Sequence, residues 1–338
     1  MTRAPRVTVI GAGSWGTTVA SLAAAQAPTT LWARRREVAD EISAAHTNAR
    51  YLGDLPLDES LRATADLDEA VAGADVLIVA VPSHGFRPAL VDLADRLRPW
   101  IPVVSLSKGL EPESRLRMSE VIEQVLPGHP AGVLTGPNLA KEILGGRGAA
   151  AVLAMPDEHV AMPLQQILTR DLFKVYRSTD VVGAEIAGAL KNVFAIAAGI
   201  ASGMDSGDNT RAMLICRAIA EMTRLGVTMG GTPLTFAGLA GIGDLLATCI
   251  SPLSRNRSVG EQLAAGRSIE EITAAMSMVA EGVKACGSVV ELAEEYGVEM
   301  PIAGEVDAVV NRGRAPKEAY QNLLQRIPST EFEGVALG

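Results

Sequence analysis

Apolar residues along this chain follow two different rhythms. Up to about residue 180 they gather in short β-rich runs at 7–10, 29–33, 76–81, 103–106 and 132–134. The intervening stretches 17–27, 37–46, 87–97 and 115–125 space their apolar residues as helices do. Such alternation predicts an α/β domain built on a mainly parallel sheet with helices on both faces. Two more runs, 150–154 and 173–176, flank a helical stretch and are expected to extend the sheet. Beyond residue 180 the β-rich runs cease and helical spacing dominates. There, Ser268-Ile269-Glu270-Glu271 has the form of a capping box. Pro316 suits the first turn of a helix over 317–325. Gly226, Gly266, Gly297 and Gly313 are expected helix stops. The pattern therefore predicts two domains, 1–180 and 181–338, the second all-α.

The segment 181–204 is one of the most apolar in the chain and approaches the length of a membrane span. Glu185, Lys191 and Asn192 interrupt it, so a buried helix of a soluble protein is the better expectation. A charge in such surroundings is costly unless it is paired or can lose its proton. Lys191 is thereby a candidate general base.

Composition narrows the choice of ligand. The net charge of −9 argues against a nucleic-acid partner, which needs a basic face. Anionic small molecules remain open, because local arginines act within an acidic whole. Aromatic residues make up only 4%, which leaves packing to Ala, Val, Leu and Gly. Cys216, Cys249 and Cys286 show no paired spacing, so free thiols in a reducing cytoplasm are expected. His46, His84, His129 and His159 are scattered, and no metal site is predicted. The short apolar run before Gly11 is too brief for a signal-peptide core.

The run 7–10 feeds Gly11-Ala12-Gly13-Ser14-Trp15-Gly16 and then a helical pattern. In this arrangement Gly11 permits the tight turn, Gly13 lets backbone approach a pyrophosphate, and Gly16 lets helix pack on strand. The helix N-terminus offers N–H donors to the anion. At the end of the second run stand Arg34, Arg35 and Arg36, where enzymes that prefer NAD often carry an acid. Guanidinium groups suit a 2′-phosphate and favour NADPH over NADH. The competing reading is a solvated basic helix start, with Glu37 serving the ribose.

Ligands of open parallel sheets sit beyond the carboxyl ends of the strands. Lys108, in Ser105-Leu106-Ser107-Lys108-Gly109, follows one strand and is expected to point into that crevice, although an isolated lysine is more often a surface residue. Thr135-Gly136-Pro137-Asn138 follows another and leads toward a helix. Asp244, after Gly241-Ile242-Gly243, either caps a helix or orients Lys191. Ser254-Arg255-Asn256-Arg257 is either a polar turn or a phosphate grip at a helix start. Cys249 is expected to be a packing residue.

In order along the chain, the segments GAGSWGT, LWARR, VPSH, SKGLE, TGPNLAKE, ALKNV, GDNTRA, GLAGIGDLLATC, SRNR and VAEG resemble those of the bacterial NAD(P)-dependent glycerol-3-phosphate dehydrogenases. The resemblance runs from about Val7 to Gln325. It implies a Rossmann-type domain followed by a helical domain. It also implies interconversion of sn-glycerol 3-phosphate and dihydroxyacetone phosphate for phospholipid synthesis, in a homodimer. By position, Lys191 corresponds to the proton acceptor, and Asp244 and Asn192 to residues that hold the lysine and the triose. Lys108 corresponds to a contact of both substrate and cofactor. Gly136 and Asn138 correspond to substrate contacts, and Ser254, Arg255 and Asn256 to the phosphate grip. Ser14, Trp15, Arg34, Arg35, Ala140, Arg255, Val279 and Glu281 correspond to cofactor contacts. Two positions depart from the family: Asn138 stands where Ser or Thr is common, and Gly53 follows Tyr51-Leu52 in place of proline. The rival readings are a related 3-hydroxyacid dehydrogenase or ketopantoate-type reductase, and a non-catalytic NADPH sensor. Contiguous Lys191-Asn192 with SKG and SRNR in order favours the triose phosphate.

Overall fold

The structure, a computed structural model, describes residues 4–276, 280–327, 330 and 331. The chain divides into two compact units. One comprises Met1–Glu111 with Leu116–Val181, the other Pro112–Arg115 with Val182–Gly338.

The first unit is an eight-stranded sheet. Its strands are β1 (Val7–Ile10), β2 (Thr29–Trp32), β3 (Arg62–Thr64), β4 (Val76–Val79), β5 (Val103–Ser105), β6 (Ala131–Thr135), β7 (Ala149–Ala154) and β8 (Phe173–Ser178). They lie in the order β3-β2-β1-β4-β5-β6-β7-β8. All neighbours are parallel except β6 and β7. β1 and β4 are buried at every position, as befits inner strands covered on both faces. β8, at the edge, alternates buried Phe173 and Val175 with exposed Lys174 and Tyr176. β1 has β2 on one side and β4 on the other, so the chain changes winding direction there. A crevice opens at the carboxyl ends of strands around such a point. Gly11 and Ala80 directly follow β1 and β4.

Two expectations need correction. The helix expected over 115–125 begins only at Met118. Arg115 takes a left-handed φ of 59° and its guanidinium pairs with Glu291 and Glu295, which draws Pro112–Arg115 into the second unit. Gly226 does not stop a helix but lies inside Asp208–Thr228. A Cβ at Gly226 would fall 2.0 Å from the Phe236 ring, so close packing explains the glycine.

The second unit is helical among its described residues. At its centre runs the 23-residue helix Val181–Gly203. Of its most apolar window, 94% is buried inside the protein. A helix apolar all round is a core helix or a membrane span, and burial within its own chain makes this one a core helix. A second segment, Pro233–Ile250, has equal mean hydropathy and is 33% buried; it consists of three successive helical pieces and contains Asp244.

The central helix meets Arg255–Ala264 at a backbone-to-backbone crossing. A Cβ on Gly199 would lie 2.1 Å from the Arg257 carbonyl oxygen, and one on Gly260 would lie 2.1 Å from that of Ile196. Only glycine at both positions permits this approach. The crossing brings the 254–256 segment beside the half-turns that carry Lys191 and Asn192. Gly260→Val should force these helices apart and lower the unfolding free energy by about 1–3 kcal/mol, as overpacked cores do. Urea titration of the variant checks this, and a midpoint equal to that of the parent would count against the crossing.

Candidate active site

In the first unit, β1 ends in the glycine turn. Gly11 takes φ 111°, and a Cβ there would lie 2.6 Å from the Ala80 carbonyl oxygen. A Cβ on Gly16 would lie 2.1 Å from the Gly11 carbonyl oxygen, so the helix Ser14–Ala24 starts tight against the strand. Gly13 is different, because a Cβ there meets nothing within 4 Å. The turn is thus closed on the protein side and open on the other, and no acid occupies the helix's first turn. That is the shape and charge a pyrophosphate needs. Trp15 packs edge-on against Phe173, with ring centroids 6.1 Å apart, and its Nε1 is buried without a partner among the described residues. Beyond β2, Ala33 is buried while Arg34, Arg35, Arg36 and Glu37 are exposed.

The ends of β5 and β6 meet. Half-buried Lys108 donates from Nζ to the Gly136 carbonyl at 2.8 Å. Gly136 has φ 128°, and a Cβ there would lie 3.2 Å from the Ala150 oxygen. Two residues on, both polar atoms of the Asn138 amide are buried without a partner among the described residues. Ala140 opens the short helix Ala140–Leu144.

In the second unit the central helix carries Lys191 and Asn192 into two adjoining networks. Lys191 Nζ donates to Asp244 Oδ1 at 2.6 Å and to Thr248 Oγ1 at 3.0 Å. Thr248 Oγ1 in turn donates to the Asp244 carbonyl at 2.6 Å. Lys191 is 7% exposed and Asp244 1%. Asp244 is therefore no helix cap: its carboxylate faces the lysine, and the residue before it is already helical in backbone. A π-helical turn, Leu239–Gly243, leads into Asp244. Gly241 allows that turn, since a Cβ would lie 2.1 Å from the Phe236 oxygen. Thr248 has no mark of a functional residue in the local sequence. Its only signal is spacing, one helical turn after Asp244.

The second network joins Asn192, Asn256 and the start of the helix Glu281–Glu295. Asn256 Nδ2 donates to Asn192 Oδ1 at 2.9 Å, and the Gly282 N–H donates to Asn256 Oδ1 at 3.0 Å. Asn192 Nδ2 makes a long 3.5 Å contact with Glu281. Ser254 caps the helix Arg255–Ala264 by accepting from the Arg257 N–H at 3.3 Å. Arg255 is exposed at the first position of that helix, whereas Arg257 turns back to the Ile250 carbonyl and to Glu261. Val279 lies outside the described residues. The structure thus gathers Lys191, Asn192, Asp244, Ser254, Asn256 and Glu281 in one unit, and Lys108 with Gly136 beyond the glycine-turn strand in the other.

Comparison with known proteins bears on this arrangement. The sequence models for NAD-dependent glycerol-3-phosphate dehydrogenase match over residues 6–161 for the N-terminus and 180–321 for the C-terminus. A glycerol-3-phosphate dehydrogenase (NAD(P)+) of Mycobacterium avium (strain 104) is 57% identical over 333 residues, 98% of each chain. Among solved structures, glycerol-3-phosphate dehydrogenase from Coxiella burnetii superposes with a TM-score of 0.91 at 35% identity, covering 96% of this chain and 99% of that one. A PanE/ApbA family ketopantoate reductase from Ralstonia eutropha JMP134 shares the fold at a TM-score of 0.58 and 20% identity, with 94% and 99% covered.

Cys249 lies next to Thr248, within the field of Lys191. Burial pushes its thiol up to about 12, against the pull of Lys191 and Arg257. Burial likewise raises Cys286 to about 11, whereas Cys216 is exposed. Thiolates alkylate and thiols do not. Iodoacetamide at pH 8 should therefore modify Cys216 alone in the folded protein. Mass spectrometry of the digest checks this, and rapid labelling of Cys249 would show that solvent reaches its thiol.

Proposed function

The chain belongs to the NAD-dependent glycerol-3-phosphate dehydrogenase family, and on that premise we propose that Lys191 moves the proton when sn-glycerol 3-phosphate and dihydroxyacetone phosphate interconvert. The observation that carries this reading is the buried Lys191 ammonium held by Asp244 and Thr248. Two of its three N–H groups are taken by those oxygens. The third can reach a substrate oxygen in an orientation the protein has already chosen.

A secondary alcohol gives up hydride only if its hydroxyl proton departs as well. The nicotinamide, when bound, takes or supplies the hydride at C2. In the oxidative direction Lys191 acts as the neutral amine: with two N–H groups held by Asp244 and Thr248, its lone pair accepts the hydroxyl proton and it becomes the ammonium. In the reductive direction the ammonium returns a proton to the oxygen as the carbonyl π bond opens. Asp244 balances the positive charge, and Thr248 fixes the direction of Nζ.

The phosphate is assigned to the start of the helix Arg255–Ala264. Ser254 and Arg255 supply hydroxyl and guanidinium. The Asn256 amide is already engaged with Asn192 and Gly282, so its part falls to its backbone N–H at the helix N-terminus. Binding energy gathered at the phosphate positions the distant carbon. Lys108 and Gly136 are assigned to substrate, with Asn138 offering its unpartnered amide. The glycine turn with Ser14, Trp15, Lys108, Ala140, Arg255, Val279 and Glu281 is assigned to the cofactor. Exposed Arg34 and Arg35 favour NADPH by offering guanidinium groups to its 2′-phosphate. A cytoplasmic homodimer supplying glycerol 3-phosphate for phospholipid synthesis completes the reading, and sedimentation equilibrium tests the dimer.

Lys191→Ala should lower kcat for dihydroxyacetone phosphate reduction by about 10²–10⁴-fold, the usual worth of a general acid. NADPH binding, read by fluorescence, should persist. Retained turnover removes Lys191 from the chemistry. Arg34→Ala should raise the KM for NADPH and leave that for NADH nearly unchanged. Equal shifts for the two cofactors would reject the 2′-phosphate assignment.

A further inference from the structure

Beyond the cofactor contacts named above lies Asn48, in the loop between the helix Arg36–Ala45 and the short helix Ala49–Leu52. It is 0% exposed. Asparagine before a helix ordinarily caps it through the side chain. Here the side chain makes no cap bond. Instead Nδ2 reaches the glycine turn, donating to the Ala12 carbonyl at 3.1 Å and to Thr17 Oγ1 at 2.9 Å. We infer that Asn48 is a positioning residue, which sets the peptide joining Ala12 to Gly13 so that the Gly13 N–H is presented to the cofactor pyrophosphate.

The argument is one of peptide geometry. In a planar trans peptide the carbonyl and the N–H point in opposite directions. No peptide bond among the described residues is cis. Drawing the Ala12 oxygen inward to a buried amide therefore turns the Gly13 N–H outward. Gly13 borders open space, as its empty Cβ position shows. The second bond, to Thr17, ties the same amide to the helix whose N-terminus meets the anion. The Thr17 N–H returns to the Gly13 carbonyl at 2.9 Å, which closes the frame.

Asn48 is held firmly enough for this task. Glu41 Oε1 accepts from Thr47 Oγ1 at 2.9 Å and from the Ala49 N–H at 2.7 Å, on either side of it. Its Oδ1 is buried without a partner among the described residues. A buried orphan acceptor is costly, so the amide is retained for its two donors. A neutral donor also orients the turn without adding charge beside a dianion.

The inference rests on the reading that the glycine turn holds the pyrophosphate, and the test separates the two. Asn48→Asp preserves shape and removes both donors but adds a charge. The neutral Thr17→Val, which removes one anchor, is therefore measured beside it and should shift the NADPH KM in the same direction. A shift confined to Asn48→Asp overturns the inference. Asn48→Asp should raise the KM for NADPH at least tenfold and leave the KM for dihydroxyacetone phosphate and kcat at saturating NADPH within threefold. Adenosine 2′-monophosphate, which lacks the pyrophosphate, should inhibit parent and variant equally. An unchanged NADPH KM overturns the inference. So does an equal weakening of adenosine 2′-monophosphate, because that marks a distortion of the whole unit. If Asn48→Asp does not fold, Thr17→Val removes the second anchor, and the same two readings apply with a smaller shift. Gly13→Val tests the underlying assignment: its side chain enters open space and should abolish NADPH binding. If it binds NADPH normally, the turn is not the pyrophosphate site. If it loses NADPH while Asn48→Asp keeps it, only the role of Asn48 falls.

Discussion

The helical unit is organised around one buried contact, Lys191 against Asp244. Removing two such charges from water costs several kcal/mol per ion in real proteins, and their attraction repays this only with good geometry and further hydrogen bonds. A well-packed apolar pair of similar volume would serve stability as well or better. The contact is thus poorly explained as a staple. On the role proposed for Lys191, it keeps a proton donor at a fixed position inside a mostly apolar helix. Thr248 adds the extra hydrogen bond that makes the geometry single-valued, because its hydroxyl is itself oriented by the Asp244 carbonyl.

Around that contact, backbones come unusually close at three places. The π-helical turn before Asp244 works only because Gly241 has no side chain to strike Phe236. The adjoining Asn192–Asn256 bond requires the helix Arg255–Ala264 to touch the central helix, which Gly199 and Gly260 allow. Gly282 plays the same part on the third side, since a Cβ there would lie 2.5 Å from the Asn192 carbonyl oxygen. π-turns tend to occur where function has shaped a helix locally. Here the chain spends regularity to bring a carboxylate to a lysine 53 residues away.

What could be read from the chain, and what could not, follows from the range of the interactions. Lys191 was legible because an ammonium in an apolar run contradicts its surroundings. Gly11, Gly13 and Gly16 were legible because their spacing and their flanking strand and helix lie within ten residues. β3 was not, because a three-residue edge strand is too short to establish a period. Gly226 reads as a helix stop because a glycine that ends a helix and one that admits a ring from another helix look alike in sequence. The choice between capping and pairing at Asp244 depended on a partner in another element. Asn48 left no trace at all: its donors serve a turn some 36 residues earlier.

The two units solve opposite problems with the same economy of means. The glycine turn must leave donors unspent, so it is built by subtraction: no side chain at 11, 13 and 16, and no acid in the first helical turn. Its orientation has to be imposed from outside, by an amide that brings no charge. The lysine cluster must instead hold a charge in place, so it is built by addition, with a carboxylate, a hydroxyl and two interlocked amides closing around one helix. A site assembled in this way tolerates change unequally. Substitutions that add atoms damage the first half, and substitutions that remove them damage the second. That division shows in particular residues: Gly199, Gly241, Gly260 and Gly282 stand where backbone approaches backbone, and Asn192, Asp244, Thr248 and Asn256 are the buried polar side chains grouped about Lys191.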